Sequence, residues 1–92
     1  MKKRVHVFYS GDVQGVGFRH TTEELAHQMG VLGWIKNLRD GRVELVAEAE
    51  ETILQRFLET IRNGAMRNFI HDTEVSWSDA SDAFREFEIR YY

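Results

Sequence analysis

A chain of 92 residues, 42% hydrophobic and 29% charged and without low-complexity tracts, is expected to form one domain over residues 1–92 with a two-layer core. Twelve Lys and Arg against 15 Asp and Glu leave a net charge of -3, which argues against a general nucleic-acid binder with its basic face. The absence of cysteine excludes disulfides, thiolate nucleophiles and thiolate metal sites.

In Met1 to Tyr9, three basic residues precede a short apolar run, but Ser10, Gly11 and Asp12 end it too early for a signal peptide. Nothing approaches the ~20 apolar residues of a membrane span. A reducing, cytoplasmic setting without membrane contact is therefore expected. The period-two pattern of Val5, Val7 and Tyr9 predicts a first strand, and its apolar character on much of both faces predicts a central place in a sheet. Gly11-Asp12-Val13-Gln14-Gly15-Val16-Gly17-Phe18-Arg19 follows, with three glycines in seven positions and a closing arginine.

A helix then carries Phe18, Thr22, Leu25, Ala26 and Met29 on one stripe, with Gly30 as terminator. Thr21 and Glu24 fit a capping box, with the first turn beginning as early as Phe18. Val31 to Ile35, running through Lys36 to Asn37, reads as a second strand, and Asp40-Gly41 as the turn of a hairpin whose return strand alternates Val43, Leu45 and Ala47. Glu50 and Glu51 open a second helix, apolar at Ile53, Leu54, Phe57, Leu58 and Ile61 and closed by Gly64. Ala65 to Asp72 reads as an irregular connection, Thr73, Val75 and Trp77 as a strand, Ser78 to Ala83 as turn, and Phe87, Ile89 and Tyr91 as a last short strand.

The order βαββαβ with an additional short C-terminal strand predicts a ferredoxin-like α/β sandwich, an α+β fold with two helices on one face of a mostly antiparallel sheet. The right-handed crossover makes the first two strands parallel. Parallel strands finish at the same edge, so Asn37 is expected beside the glycine loop.

That loop admits two readings. One is a flexible strand-to-helix connection; the other is an anion cradle, with glycines turning backbone N–H groups inward, Arg19 supplying a fixed positive fork and the helix start adding its dipole. The remaining candidates are weaker. His6, His20, His27 and His71 have no close metal-ligand spacing, and His20 reads as a surface residue. Glu48, Glu50 and Glu51 read as the solvated end of a strand and the acidic start of a helix, Asp40 as a turn residue, and Trp34 and Trp77 as packing residues.

The loop lacks the Gly-Lys-Ser/Thr ending of a nucleotide-binding loop and the third glycine of a dinucleotide fingerprint. What remains is a cradle, one arginine and one asparagine. Asparagine orients water by hydrogen bonds but takes no proton at neutral pH, so no strong base, acid or metal stands out. Phosphoryl transfer proceeds largely by positioning and charge stabilisation, and a carboxylate leaving group needs no acid. An acyl phosphate meets that condition.

Gly11 to Arg19, together with Gly33-Trp34-Ile35-Lys36-Asn37-Leu38-Arg39-Asp40-Gly41-Arg42-Val43, closely resembles the two signature segments of the acylphosphatases, and order and length agree over essentially the whole chain. The resemblance implies hydrolysis of a carboxyl-phosphate anhydride to a carboxylate and inorganic phosphate, with no metal or cofactor. It places Arg19 on the phosphoryl group beside the backbone amides of Gly11, Asp12, Val13, Gln14, Gly15, Val16, Gly17 and Phe18. It gives Asn37 the task of orienting the attacking water, and makes phosphate a product and a competing ligand of what is expected to be a monomer.

Two departures stand out. Asp12 occupies a position that is basic in many relatives, which at an exposed site costs up to about 1 kcal/mol of phosphate attraction. Gly64-Ala65-Met66 lacks the proline that often follows this glycine. Two other readings are a non-catalytic anion-binding module on the same fold, and a nucleic-acid binder, which the aliphatic and acidic Val43 to Glu48 disfavours.

Overall fold

The computed structural model describes residues 1–91. β1 (Lys2–Gly11) leads through the glycine loop to α1 (Phe18–Met29), then β2 (Leu32–Asn37), β3 (Val43–Glu50), α2 (Glu51–Asn63), a 3-10 turn at Arg67–Phe69, β4 (Ile70–Asp79) and β5 (Phe87–Arg90). The sheet order is β4-β1-β3-β2-β5. β1 is antiparallel to β3 and β3 to β2, so β1 and β2 run parallel with β3 between them. β5 joins β2 in parallel and extends the sheet at that edge. This is the ferredoxin-like α+β arrangement that the order of sequence patterns predicts, with its additional strand.

Period two along the strands decides what is buried. Val5, Val7 and Tyr9 of β1, Ile35 of β2, and Val43, Leu45 and Ala47 of β3 are all buried against the helices. α1 presents Phe18, Thr22 and Ala26 to the sheet, while α2 presents Leu54, Phe57 and Ile61, so each helix buries residues three or four positions apart. At roughly 1.5–3 kcal/mol for each large apolar side chain fully withdrawn from water, this layer is the main source of stability. Gly30 ends α1 in a left-handed conformation (φ 70°), with its N–H donating to Ala26 O. No helix among the described residues is long and apolar enough to cross a membrane.

Several local expectations are corrected. The capping box at Thr21 is absent because α1 starts at Phe18 and is capped by Gly17 in the left-handed region, without a side-chain bond. The connection after α2 is shorter and more ordered than a loop over Ala65 to Asp72. It folds into the 3-10 turn, and β4 begins at Ile70 and runs to Asp79, because pairing with the long β1 recruits residues without strand character of their own. Trp77 is not a core residue: it projects with Val75 from the edge strand, and both are more than 40% exposed beside a groove lined by Leu58 and Arg62 of α2. Trp34 is half-buried on the sheet face opposite the helices, beneath Lys36 Nζ at 5.3 Å and the Arg90 guanidinium at 5.0 Å.

Glu48 is not solvated. It is 4% exposed, and its carboxylate accepts from Arg4 Nε (2.7 Å), the Ser81 N–H (2.9 Å) and hydroxyl (2.8 Å), and the Asp82 N–H (3.1 Å). Burial raises its pKa, and the hydrogen bonds outweigh that and hold the carboxyl below its ordinary value.

Candidate active site

The end of β1 is shaped by one glycine. The register with β4 shifts between Ser10 and Gly11, a bulge that swings the chain out of the sheet. Gly11 has φ 127°, and a Cβ there would lie 2.4 Å from Phe69 O and 2.8 Å from His71 N, so only glycine fits. Asp12 N–H then donates to Phe69 O at 2.9 Å, which ties the departing loop to the 3-10 turn.

Beyond this anchor the loop is held from below and open above. Val13 and Phe18 are 1% exposed, with the Phe18 ring 5.1 Å from that of the buried Tyr9. Between them, Gly15 (φ 76°) and Gly17 (φ 82°) are left-handed, and Val16 is not. Alternation of hand between successive residues turns their N–H groups to one side and makes a concave anion nest. Nothing lies within 4 Å of where a Cβ would stand on Gly15 or Gly17. Among the described residues, the N–H groups of Val13 to Phe18 have no hydrogen-bond partner in the protein, and the first-turn amides of α1 face the same end.

Arg19, the second residue of α1, is half-buried. Its guanidinium lies 5.1 Å from the centre of the Tyr91 ring, and no carboxylate among the described residues pairs with it. Tyr91 is thus a stacking partner rather than the strand residue expected, since β5 stops at Arg90. A cation held by an aromatic face keeps its N–H donors free for an anion.

Asn37 ends β2, opposite Val43 of β3. It shares the helix-bearing face with Gly33 and Ile35, and because β1 and β2 are parallel it stands at the end of the sheet where α1 begins. Its Oδ1 is buried and has no hydrogen-bond partner among the described residues. An unpaired buried amide oxygen costs roughly 1–3 kcal/mol, so this atom takes a donor from outside the protein chain, and a water can supply it.

Gln14 joins the two halves. Its Nε2 donates to Leu38 O at 2.7 Å and Arg42 O at 2.9 Å, the two mouths of the β2–β3 turn. The turn is firm in itself. Leu38 N–H donates to Arg42 O and Gly41 N–H to Leu38 O, while Asp40 accepts from the Arg42 N–H and Nε, a pairing that lowers its pKa.

The structure therefore brings Gly11 to Phe18, Arg19 and Asn37 to one end of the sheet. Asp12 lies on the rim, exposed, with its carboxylate 3.7 Å from His71 Nε2. Two contributions had no sequence signal: the side chain of Gln14, whose partners lie more than twenty residues away, and the ring of Tyr91. Among the described residues no three His, Asp or Glu side chains group closely enough to hold a metal ion.

The Acylphosphatase family model matches residues 5–89. The chain is 40% identical to an acylphosphatase of Salinibacter ruber over 97% of its own length and 94% of the relative's. It is 43% identical to one of Haloarcula marismortui, covering 96% of each chain. A crystal structure of acylphosphatase from Bacillus subtilis superposes with a TM-score of 0.89 at 37% identity, covering 97% of this chain and 99% of that one.

Proposed function

The chain belongs to the acylphosphatase family and is an enzyme that hydrolyses acyl phosphates, and from that premise we propose that Arg19 and the loop amides bind the phosphoryl group while Asn37 orients the attacking water. The observation that supports this division of labour is the pairing of opposite deficits. One side of the site offers unpartnered N–H donors and an unneutralised guanidinium; the other offers a buried amide oxygen without a donor.

The phosphoryl oxygens accept from the amides of Val13 to Phe18 and from Arg19, which stabilise the charge carried through the transition state, while the Asp12 amide, expected from the sequence in the same role, is already taken by Phe69 O. Asn37 Oδ1 accepts from a water and holds it toward phosphorus. The P–O bond to the carboxylate breaks as the water oxygen bonds to phosphorus. The leaving carboxylate is stable as an anion, and both protons of the water finish on product phosphate, so neither a general acid nor a metal is required. Asn37 is neutral at working pH and acts by position alone.

In this reading phosphate is both product and competing ligand. The 92 residues act as one monomeric, cytoplasmic domain with a small-molecule partner and no nucleic-acid partner. Following the loss of an aromatic acyl phosphate with a chelator present tests the mechanism. Undiminished turnover that inorganic phosphate inhibits competitively is expected, and loss of activity on chelation contradicts it.

A further inference from the structure

We infer that the side chain of Gln14 is a positioning residue that fixes Asn37 relative to the anion loop, an assignment that rests on the reading of Arg19 and Asn37 given above. The two halves of the site follow different strands of the sheet. The amides and Arg19 follow β1, and Asn37 is the last residue of β2, just before the β2–β3 turn. β1 and β2 are not neighbours, since β3 separates them, so the sheet's hydrogen bonds set their spacing only through an intervening strand.

At the active-site end, the amide of Gln14 crosses that gap directly. Both of its bonds go to carbonyl oxygens, Leu38 O at 2.7 Å and Arg42 O at 2.9 Å, which fixes the amide with its NH2 toward the turn. Leu38 is the residue after Asn37, so one bond ends on the neighbour of the water-orienting group. The backbone of Asn37 is paired with Val43 of β3, but its side-chain Oδ1 has no partner among the described residues, so its aim depends on how that backbone is set. On the other side Gln14 is itself pinned between the buried Val13 and the left-handed Gly15. The bridge thus connects a fixed point of the loop to the backbone that carries Asn37.

A link of this kind acts on the reaction and not on phosphate affinity. The amides and Arg19 stay in place without it, whereas a water displaced by about 1 Å from its line of attack costs up to 10²-fold in rate. Gln14→Leu removes both donors, and Gln14→Glu, nearly isosteric, sets carboxylate oxygens against two carbonyls. Each variant is expected to lower kcat by about 10-fold to 10²-fold while changing inhibition by inorganic phosphate less than about twofold.

The decisive test is a double-mutant cycle with Asn37→Ala, reading kcat and the phosphate inhibition constant, with thermal midpoints recorded to show that each variant is folded. If Gln14 acts through Asn37, adding Gln14→Leu to Asn37→Ala costs less than about a further twofold in kcat. Full additivity, or a phosphate affinity that falls in step with kcat, overturns the inference and makes Gln14 an ordinary prop of the loop. An Asn37→Ala protein with undiminished kcat is a different failure: it removes the role of Asn37 itself, and the role of Gln14 with it.

Discussion

The two ends of the sheet treat buried polar groups in opposite ways. At the end away from the glycine loop, Glu48 is 4% exposed and accepts four hydrogen bonds, from Arg4, Ser81 and Asp82. Asp82 is the one non-glycine residue with positive φ (58°) among those described, and its N–H donates into this carboxylate. At the other end, Asn37 Oδ1 is buried with no partner, and the amides of Val13 to Phe18 stand open. The first arrangement is saturated, so it binds the chain to itself and pins the segment before β5. The second makes few bonds within the chain, which is the arrangement expected of the proposed phosphate site.

This contrast separates the effects of substitution. Arg19→Ala has the largest expected effect: kcat/KM falls on the order of 10³-fold and phosphate no longer competes, while the thermal midpoint changes little. A variant still inhibited by phosphate removes Arg19 from the site. Glu48→Gln behaves in the reverse sense, costing about 2–4 kcal/mol and lowering Tm by about 10–20 °C without changing turnover at temperatures where the variant is folded. Because the carboxyl of Glu48 is held below its ordinary value of 4.5 in the folded protein, its contribution is present above that pH and is lost as pH falls through the lowered value. A plot of Tm against pH therefore has a shallower acid limb in Glu48→Gln; an unchanged limb refutes the assignment. Asp12→Lys is the smallest change. The site is exposed and its His71 neighbour is 3.7 Å away, so phosphate is expected to bind a few-fold more tightly at low salt and equally at high salt.

The same contrast explains what the sequence made legible. The period-two runs at Val5 to Tyr9 and Val43 to Ala47, and the 3.6-residue stripes of both helices, are signals of burial, so they carry the fold and its strand order. The placement of Asn37 beside the loop follows from the crossover between two parallel strands. The role of Glu48 was not legible, since a glutamate at the end of a strand looks the same whether water or Ser81 meets it, and Ser81 lies 33 residues away. Trp77 looked like core because its strand alternates, but alternation gives the face and not whether a helix covers it. β4 begins at Ile70, with polar residues that β1 recruits by pairing, a long-range effect absent from local pattern.

The central claim is that binding and reaction are divided between two pieces of chain, the Gly11–Arg19 loop and Asn37. It is tested most directly by measuring Asn37→Ala twice, once for turnover of an aromatic acyl phosphate and once for competitive inhibition by inorganic phosphate. The expected result is a fall in kcat of about 10²-fold with a phosphate inhibition constant unchanged within about twofold. Phosphate affinity lost together with turnover, or turnover left intact, would contradict it.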